Sequence, residues 1–200
     1  MISSLIVAAP LPHGYTWTLT TRLGELLSLA EARYGPRDRS YTLLGVEFCA
    51  TGPRIWYPGD RRDVVIQLSL AALESERLAL YQLAHECVHL LGPSGTANAS
   101  NLEEGLAVAF SWFSVEHTLG IPGESLTDDP AYLAAGQRVR RLLAEDPGLI
   151  RRLRNLGSDL WRPRPEDLRA AWPGLAAEEV TYLTQPFVRG TARPPKSAAE

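Results

Sequence analysis

Cysteine is scarce in this chain. Two among 200 residues, Cys49 and Cys87, are too few for a disulfide framework, and both read as buried thiols rather than a bridge. Positive charge is not in excess: the formal net charge is -3 and no large basic block occurs. That removes the electrostatic argument for binding nucleic acid or an anionic membrane surface. No apolar run approaches the roughly 20 residues of a membrane span. The N-terminal run Leu5-Ile6-Val7-Ala8-Ala9 has no basic stretch before it and is too brief for a signal core, so a cytoplasmic location is the expectation. Internal repeats and long linkers are also missing. One domain over residues 1–188 is expected, helical from about residue 120, with a Pro-, Ala- and Ser-rich disordered tail over 189–200.

What is present is a globular composition, 45% hydrophobic and 22% charged, in a chain long enough to bury a core without staples. Leu23, Leu26, Leu27 and Ala30 form an apolar stripe, predicting a helix over Thr20 to Tyr34 that Gly35-Pro36 ends. Tyr41 to Phe48, Arg54 to Tyr57 and Asp63 to Leu68 read as three short strands separated by Thr51-Gly52-Pro53 and Pro58-Gly59-Asp60. Their spacing suggests an antiparallel meander. A long buried helix follows, roughly Ala72 to Leu91, stopped by Gly92-Pro93. A small-residue loop leads to a second helix, about Asn101 to Val115. Further helices are expected at about 130–144, 149–155, 165–171 and 177–183. The five tryptophans read as packing residues, and Arg151-Arg152-Leu153-Arg154 as a solvated helix face.

The first long helix carries His85-Glu86-Cys87-Val88-His89. Residues four apart share one helix face, so both imidazoles project to one side and can hold one Zn²⁺ at about 2.0–2.1 Å each. Glu86 is rotated by about 100° from His85. It can flank the metal as a general base toward an attacking water, the arrangement of the H-E-x-x-H motif. A catalytic zinc needs a third protein ligand. The chain has four histidines, and Ala99 stands where the third histidine of the extended H-E-x-x-H-x-x-G-x-x-H pattern would be. The next acidic residues, Glu103 and Glu104, open the second helix. Ser100-Asn101-Leu102-Glu103 has the form of a capping box, with Glu103 reaching back to the Ser100 N–H, which leaves Glu104 as the metal ligand. In the competing frame Asn101 caps, and Glu104 reaches back.

His85-Glu86-x-x-His89 followed by Glu104-Gly105-Leu106-Ala107 resembles the gluzincin metallopeptidases over about Tyr41 to Val115. The resemblance implies a zincin-like α+β fold, a small antiparallel or mixed sheet packed on an active-site helix and a glutamate helix. It implies zinc held by His85, His89 and Glu104, Glu86 as catalytic base, and a peptide or protein substrate. It also suggests that the strand Val64-Val65-Ile66-Gln67-Leu68 is the edge on which extended substrate pairs. Val108 replaces the acidic residue that some members carry four positions after the glutamate ligand, so nothing in the motif says what orients the imidazoles. Candidates for stabilising the oxyanion are His117, Tyr132 and Tyr182. Regulatory proteases of the ImmA/IrrE type, which act on repressors, are similar in layout, and a non-catalytic zincin scaffold that binds a partner is the third reading.

Overall fold

The three strands form where the sequence places them, but they do not pair in chain order. A computed structural model describes residues 5–60, 62–96 and 98–190, and its architecture is α+β. A two-residue hairpin, β1 (Pro10–Leu11) with β2 (Gly14–Tyr15), precedes α1 (Leu19–Tyr34). Then come β3 (Thr42–Cys49), β4 (Arg54–Trp56) and β5 (Asp63–Ser69), a 3-10 turn at Leu70–Glu74, α2 (Glu76–His89) and α3 (Asn101–Leu119). A second 3-10 turn, Gly123–Leu126, leads to α4 (Pro130–Glu145), α5 (Leu149–Asn155), α6 (Pro165–Ala171) and α7 (Ala177–Thr184).

The sheet is mixed, with order β3-β5-β4. β5 runs parallel to β3 and antiparallel to β4, which corrects the meander. β5 also takes the centre, which corrects its reading as an edge strand. The physical reason is composition. β5 carries Val64, Val65, Ile66 and Leu68 and is buried along Val64 to Leu68, as a strand covered on both faces must be. β4 is short and turns Arg54 and Trp56 outward, features of an edge. One polar row crosses all three strands in register: Arg54 Nε donates to Gln67 Oε1 at 2.6 Å, and Gln67 Nε2 donates to Glu47 Oε1 at 2.5 Å.

The predicted long helix begins later than expected. Ser75 interrupts it, its hydroxyl accepting the Leu78 N–H, so Leu70–Glu74 becomes a separate 3-10 turn. Gln82 ties α2 to the end of β5: its Oε1 accepts the Ser69 N–H at 2.9 Å and its Nε2 donates to Ser69 Oγ at 2.8 Å. The buried apolar side chains form one core running from Leu5 to Leu183, with α2 and α3 at its centre. Cys87 lies inside it and Cys49 is half-buried; both thiols are free.

Two readings of surface residues are corrected. Of the arginines of α5, Arg151 and Arg152 are exposed as a solvated face requires, but Arg154 is not. The Arg154 guanidinium is half-buried and donates to the carbonyls of Tyr34, Gly35, Pro36 and Leu91 at 2.7–3.0 Å. It thereby joins the end of α1 to the loop after α2. Arg152 donates to the Ala171 carbonyl and to Asp146, and Arg151 to the Ala32 carbonyl. The tryptophans divide: Trp112 is fully buried, whereas Trp17 and Trp56 are exposed. Among the described residues, no helix is long and apolar enough to cross a membrane. Of the tail expected from Arg189 onward, Arg189 and Gly190 are placed, and 191–200 lie outside the described residues.

Candidate metal centre

The last turn of α2 and the first turn of α3 meet across the loop 90–100. Ser100 caps α3, its side chain accepting the Glu103 N–H at 3.1 Å, and its hydroxyl donates to the Leu160 carbonyl at 2.6 Å. The C-terminal segment straps this corner from outside. The Asn101 N–H donates to the Gln185 carbonyl and the Phe187 N–H to the Ala99 carbonyl, both at 2.9 Å, around a bridge between Ser100 and Pro186. These bonds fix where the first turn of α3 points.

That turn aims Glu104 at the two histidines. Glu104 Oε2 lies 3.1 Å from His85 Nε2 and 3.8 Å from His89 Nε2, and the three donor atoms fall within 4.8 Å of one another. Two ligands of a tetrahedral zinc, each about 2.1 Å from it, stand about 3.4 Å apart, so these separations suit an ion at a common centre. Despite the short distance to His85, Glu104 Oε2 is buried without a hydrogen-bond partner. A buried carboxylate oxygen with no hydrogen bond is costly unless a positive charge satisfies it, and a charged His85 ring or a metal ion would each do so. The donor set therefore fits a divalent metal.

Glu103 departs from its expected role. Its backbone N–H is capped as predicted, but its carboxylate does not reach back to Ser100; Glu103 Oε1 lies 3.2 Å from His89 Nδ1. A carboxylate on one ring nitrogen fixes the imidazole so that the other faces the metal position. This supplies for His89 the orienting acid that the position of Val108 does not. The signal was the Glu103-Glu104 pair itself, two acids on one helix turn facing two histidines.

Burial pushes the Glu86 carboxyl above its usual range, and His89 and His85 only partly offset this. Burial alone would lower the His89 imidazole, but Glu103, Glu104 and Glu86 hold it up to about 10. Burial raises Glu104, and His89 and His85 outweigh it, leaving its carboxyl low. Three carboxyl groups, Glu86, Glu103 and Glu104, surround the two imidazoles, and the Arg189 guanidinium also acts on Glu86 and Glu104; a dication would be held by the acid-rich side of this cluster.

The centre opens into a cleft of about 610 Å³. β4 forms part of its wall through Arg54, Ile55 and Trp56, Glu86 lies in it beside the histidines, and Tyr132 of α4 closes another side. The Tyr132 ring is 5.9 Å from that of His85. Burial and the Glu104 charge push its hydroxyl well above the ordinary tyrosine range, so it remains a donor. The other two oxyanion candidates do not line this cleft. Tyr182 lies under the Arg138 guanidinium, 4.1 Å from its ring centroid, and His117 stacks on Phe113 at 5.7 Å. Sequence reasoning missed Arg189, which projects into the cleft from the strap. It also missed that Arg54 to Trp56 is the strand beside the site.

No family model, curated protein or solved structure matches this chain.

Proposed function

We propose that the chain is a zinc-dependent metallohydrolase of the gluzincin kind that cleaves peptide bonds, with zinc on His85, His89 and Glu104. The observation that carries this reading is the gathering of three donor atoms within 4.8 Å of one another, on buried His85 and Glu104 and half-buried His89, with Glu104 Oε2 lacking a hydrogen bond, beside a cleft that also holds Glu86. Bound zinc would polarise a scissile carbonyl and acidify the attacking water.

The chain's own groups supply the rest. Glu86 accepts the proton of the attacking water and returns it to the leaving amine, a role suited to a carboxyl whose proton affinity burial has raised. Glu103 keeps the His89 ring in its ligand orientation. Tyr132 donates from the cleft wall toward the developing oxyanion. β4 has a strand neighbour on one side only, so its free edge can pair with an extended peptide along the cleft, giving the substrate a main-chain template.

The test is direct. Purified protein is stripped with chelator and reloaded, and its metal content and hydrolysis of a quenched fluorescent peptide pool are measured. Wild type should hold one zinc per chain. Glu86→Gln should hold the same zinc and lose about 10²-fold or more in turnover. Failure to take up an ion at saturating zinc would end the metallohydrolase reading, and full turnover by Glu86→Gln would end the assignment of the base.

A further inference from the structure

Arg189 lines the cleft, and the chemistry above leaves it without a task. Its backbone is held by the strap: residues 185 and 187 bond to 101 and 99, and the Phe187 ring packs on Tyr132 at 4.5 Å between centroids. The Arg189 guanidinium sits 5.8 Å from the Tyr132 ring centroid, and that ring in turn borders His85. The side chain is exposed in the cleft.

The two cleft arginines differ in commitment. Arg54 gives its Nε to Gln67 in the row that ends on Glu47. Arg189 forms no ion pair within 4.0 Å among the described residues, although Asp128 and Asp129 line the same cleft. A cation at the centre would cancel the charges of Glu86 and Glu104, so Arg189 is not required to balance them. Its guanidinium lies against the Tyr132 hydroxyl and its charge reaches Glu86 and Glu104, yet the side chain is exposed in the cleft, so the donors not used by Tyr132 can receive a carboxylate.

We propose that Arg189 forms a carboxylate-binding subsite, so that the preferred peptides present a negative group beyond Tyr132, either a terminal α-carboxylate or an acidic side chain. The subsite rests on the peptidase reading for its meaning. Its position on the strap explains why a segment so far along the chain is fastened to the corner that carries Glu104: fastening places the cation at a set distance from the metal position.

Calorimetric titration of the full-length Glu86→Gln protein in saturating zinc tests this with four small probes. They are acetyl-dialanine, its C-terminal amide, acetyl-alanyl-glutamate amide and the glutamine counterpart. At least one carboxylate probe should bind about tenfold or more tightly than its neutral partner. Discrimination in the first pair marks a chain terminus, and in the second an acidic side chain. Arg189→Met should reduce the discrimination below about threefold, while Arg189→Lys retains part of it. Equal affinities within both pairs, no binding of any probe, or discrimination undiminished in Arg189→Met, as when the carboxylate sits on the metal itself, overturns the subsite. Zinc content and peptide hydrolysis of the unaltered chain report separately on the metallohydrolase reading, so the two can fail independently.

Discussion

Glu103 and Glu104 are adjacent in the chain and face different nitrogens. Glu104 offers Oε2 to the space between His85 Nε2 and His89 Nε2, and Glu103 holds His89 Nδ1. Removing a direct ligand and removing a ring-orienting acid have different costs. Glu103→Ala should weaken zinc binding by about 10- to 100-fold, and Glu104→Ala by more, as measured by competition with a chromophoric chelator. Equal losses would assign both carboxylates the same role. Tyr132 touches neither the zinc position nor the fold's centre, so Tyr132→Phe should leave zinc affinity unchanged and lower turnover by about 10²-fold. A change in KM alone would make it a substrate-packing residue instead. At this scale the grouping of His85, His89 and Glu104 was legible, because a helix repeat and a following acid define it. The orienting role of Glu103 was not, because a capping box and an outward-turned carboxylate begin with the same four residues.

The elements explain why Gly105 follows Glu104. α3 and α4 cross at Gly105, where a Cβ would stand 2.6 Å from the Ala135 carbonyl oxygen and 2.6 Å from Val139 Cγ2. The Gly136 position is closed in the same way by Val108 and Trp112 of α3. Two helices whose backbones approach this closely bring the first turn of α4, and with it Tyr132, against His85. Gly105→Ala gains helix propensity of about 1 kcal/mol yet forces α4 outward, so it should destabilise the fold by a net 1–3 kcal/mol or so and reduce turnover by displacing Tyr132. Gly24→Ala is the control. Gly24 lies exposed in α1 with no atom within 4 Å of its would-be Cβ, so the same change there should stabilise by about 0.5–1 kcal/mol. Urea denaturation of both variants checks the pair, and equal signs would dissolve the argument. The sequence marked most helices to within a residue or two, because their apolar periodicity and their Pro, Gly and Ser boundaries are local signals. Sheet pairing was not legible: β4 and β5 are consecutive strands, but burial of β5 on both faces decides which edge each presents. Arg154 of α5 was misread for a similar reason, since nothing local shows that Tyr34, Gly35, Pro36 and Leu91 will offer it their carbonyls.

Across the whole molecule, the candidate ion would join two helices that otherwise meet through carboxyl–imidazole pairs between Glu103 or Glu104 and His85 or His89. His85 and His89 belong to α2, Glu104 to α3, and the strap from residues 185–187 holds the corner between them. In an unfolded chain the two histidines are near in sequence, but Glu104 is fifteen residues beyond His89 and no fixed three-ligand site exists. Zinc should therefore bind the folded state far more tightly, and its binding free energy adds to folding. At a thousandfold excess over the dissociation constant the gain is about 4 kcal/mol. For a domain of this size that corresponds to a rise in Tm of roughly 10 °C. Differential scanning calorimetry with and without zinc should show this rise for wild type and for Glu86→Gln, whose ligands are intact. Glu104→Ala should lose most of it, and Glu103→Ala should fall between. A Tm indifferent to zinc would mean that the three donors do not close on an ion. A rise preserved in Glu104→Ala would place the metal on the histidines without α3, removing the link between metal binding and the packing of the two central helices.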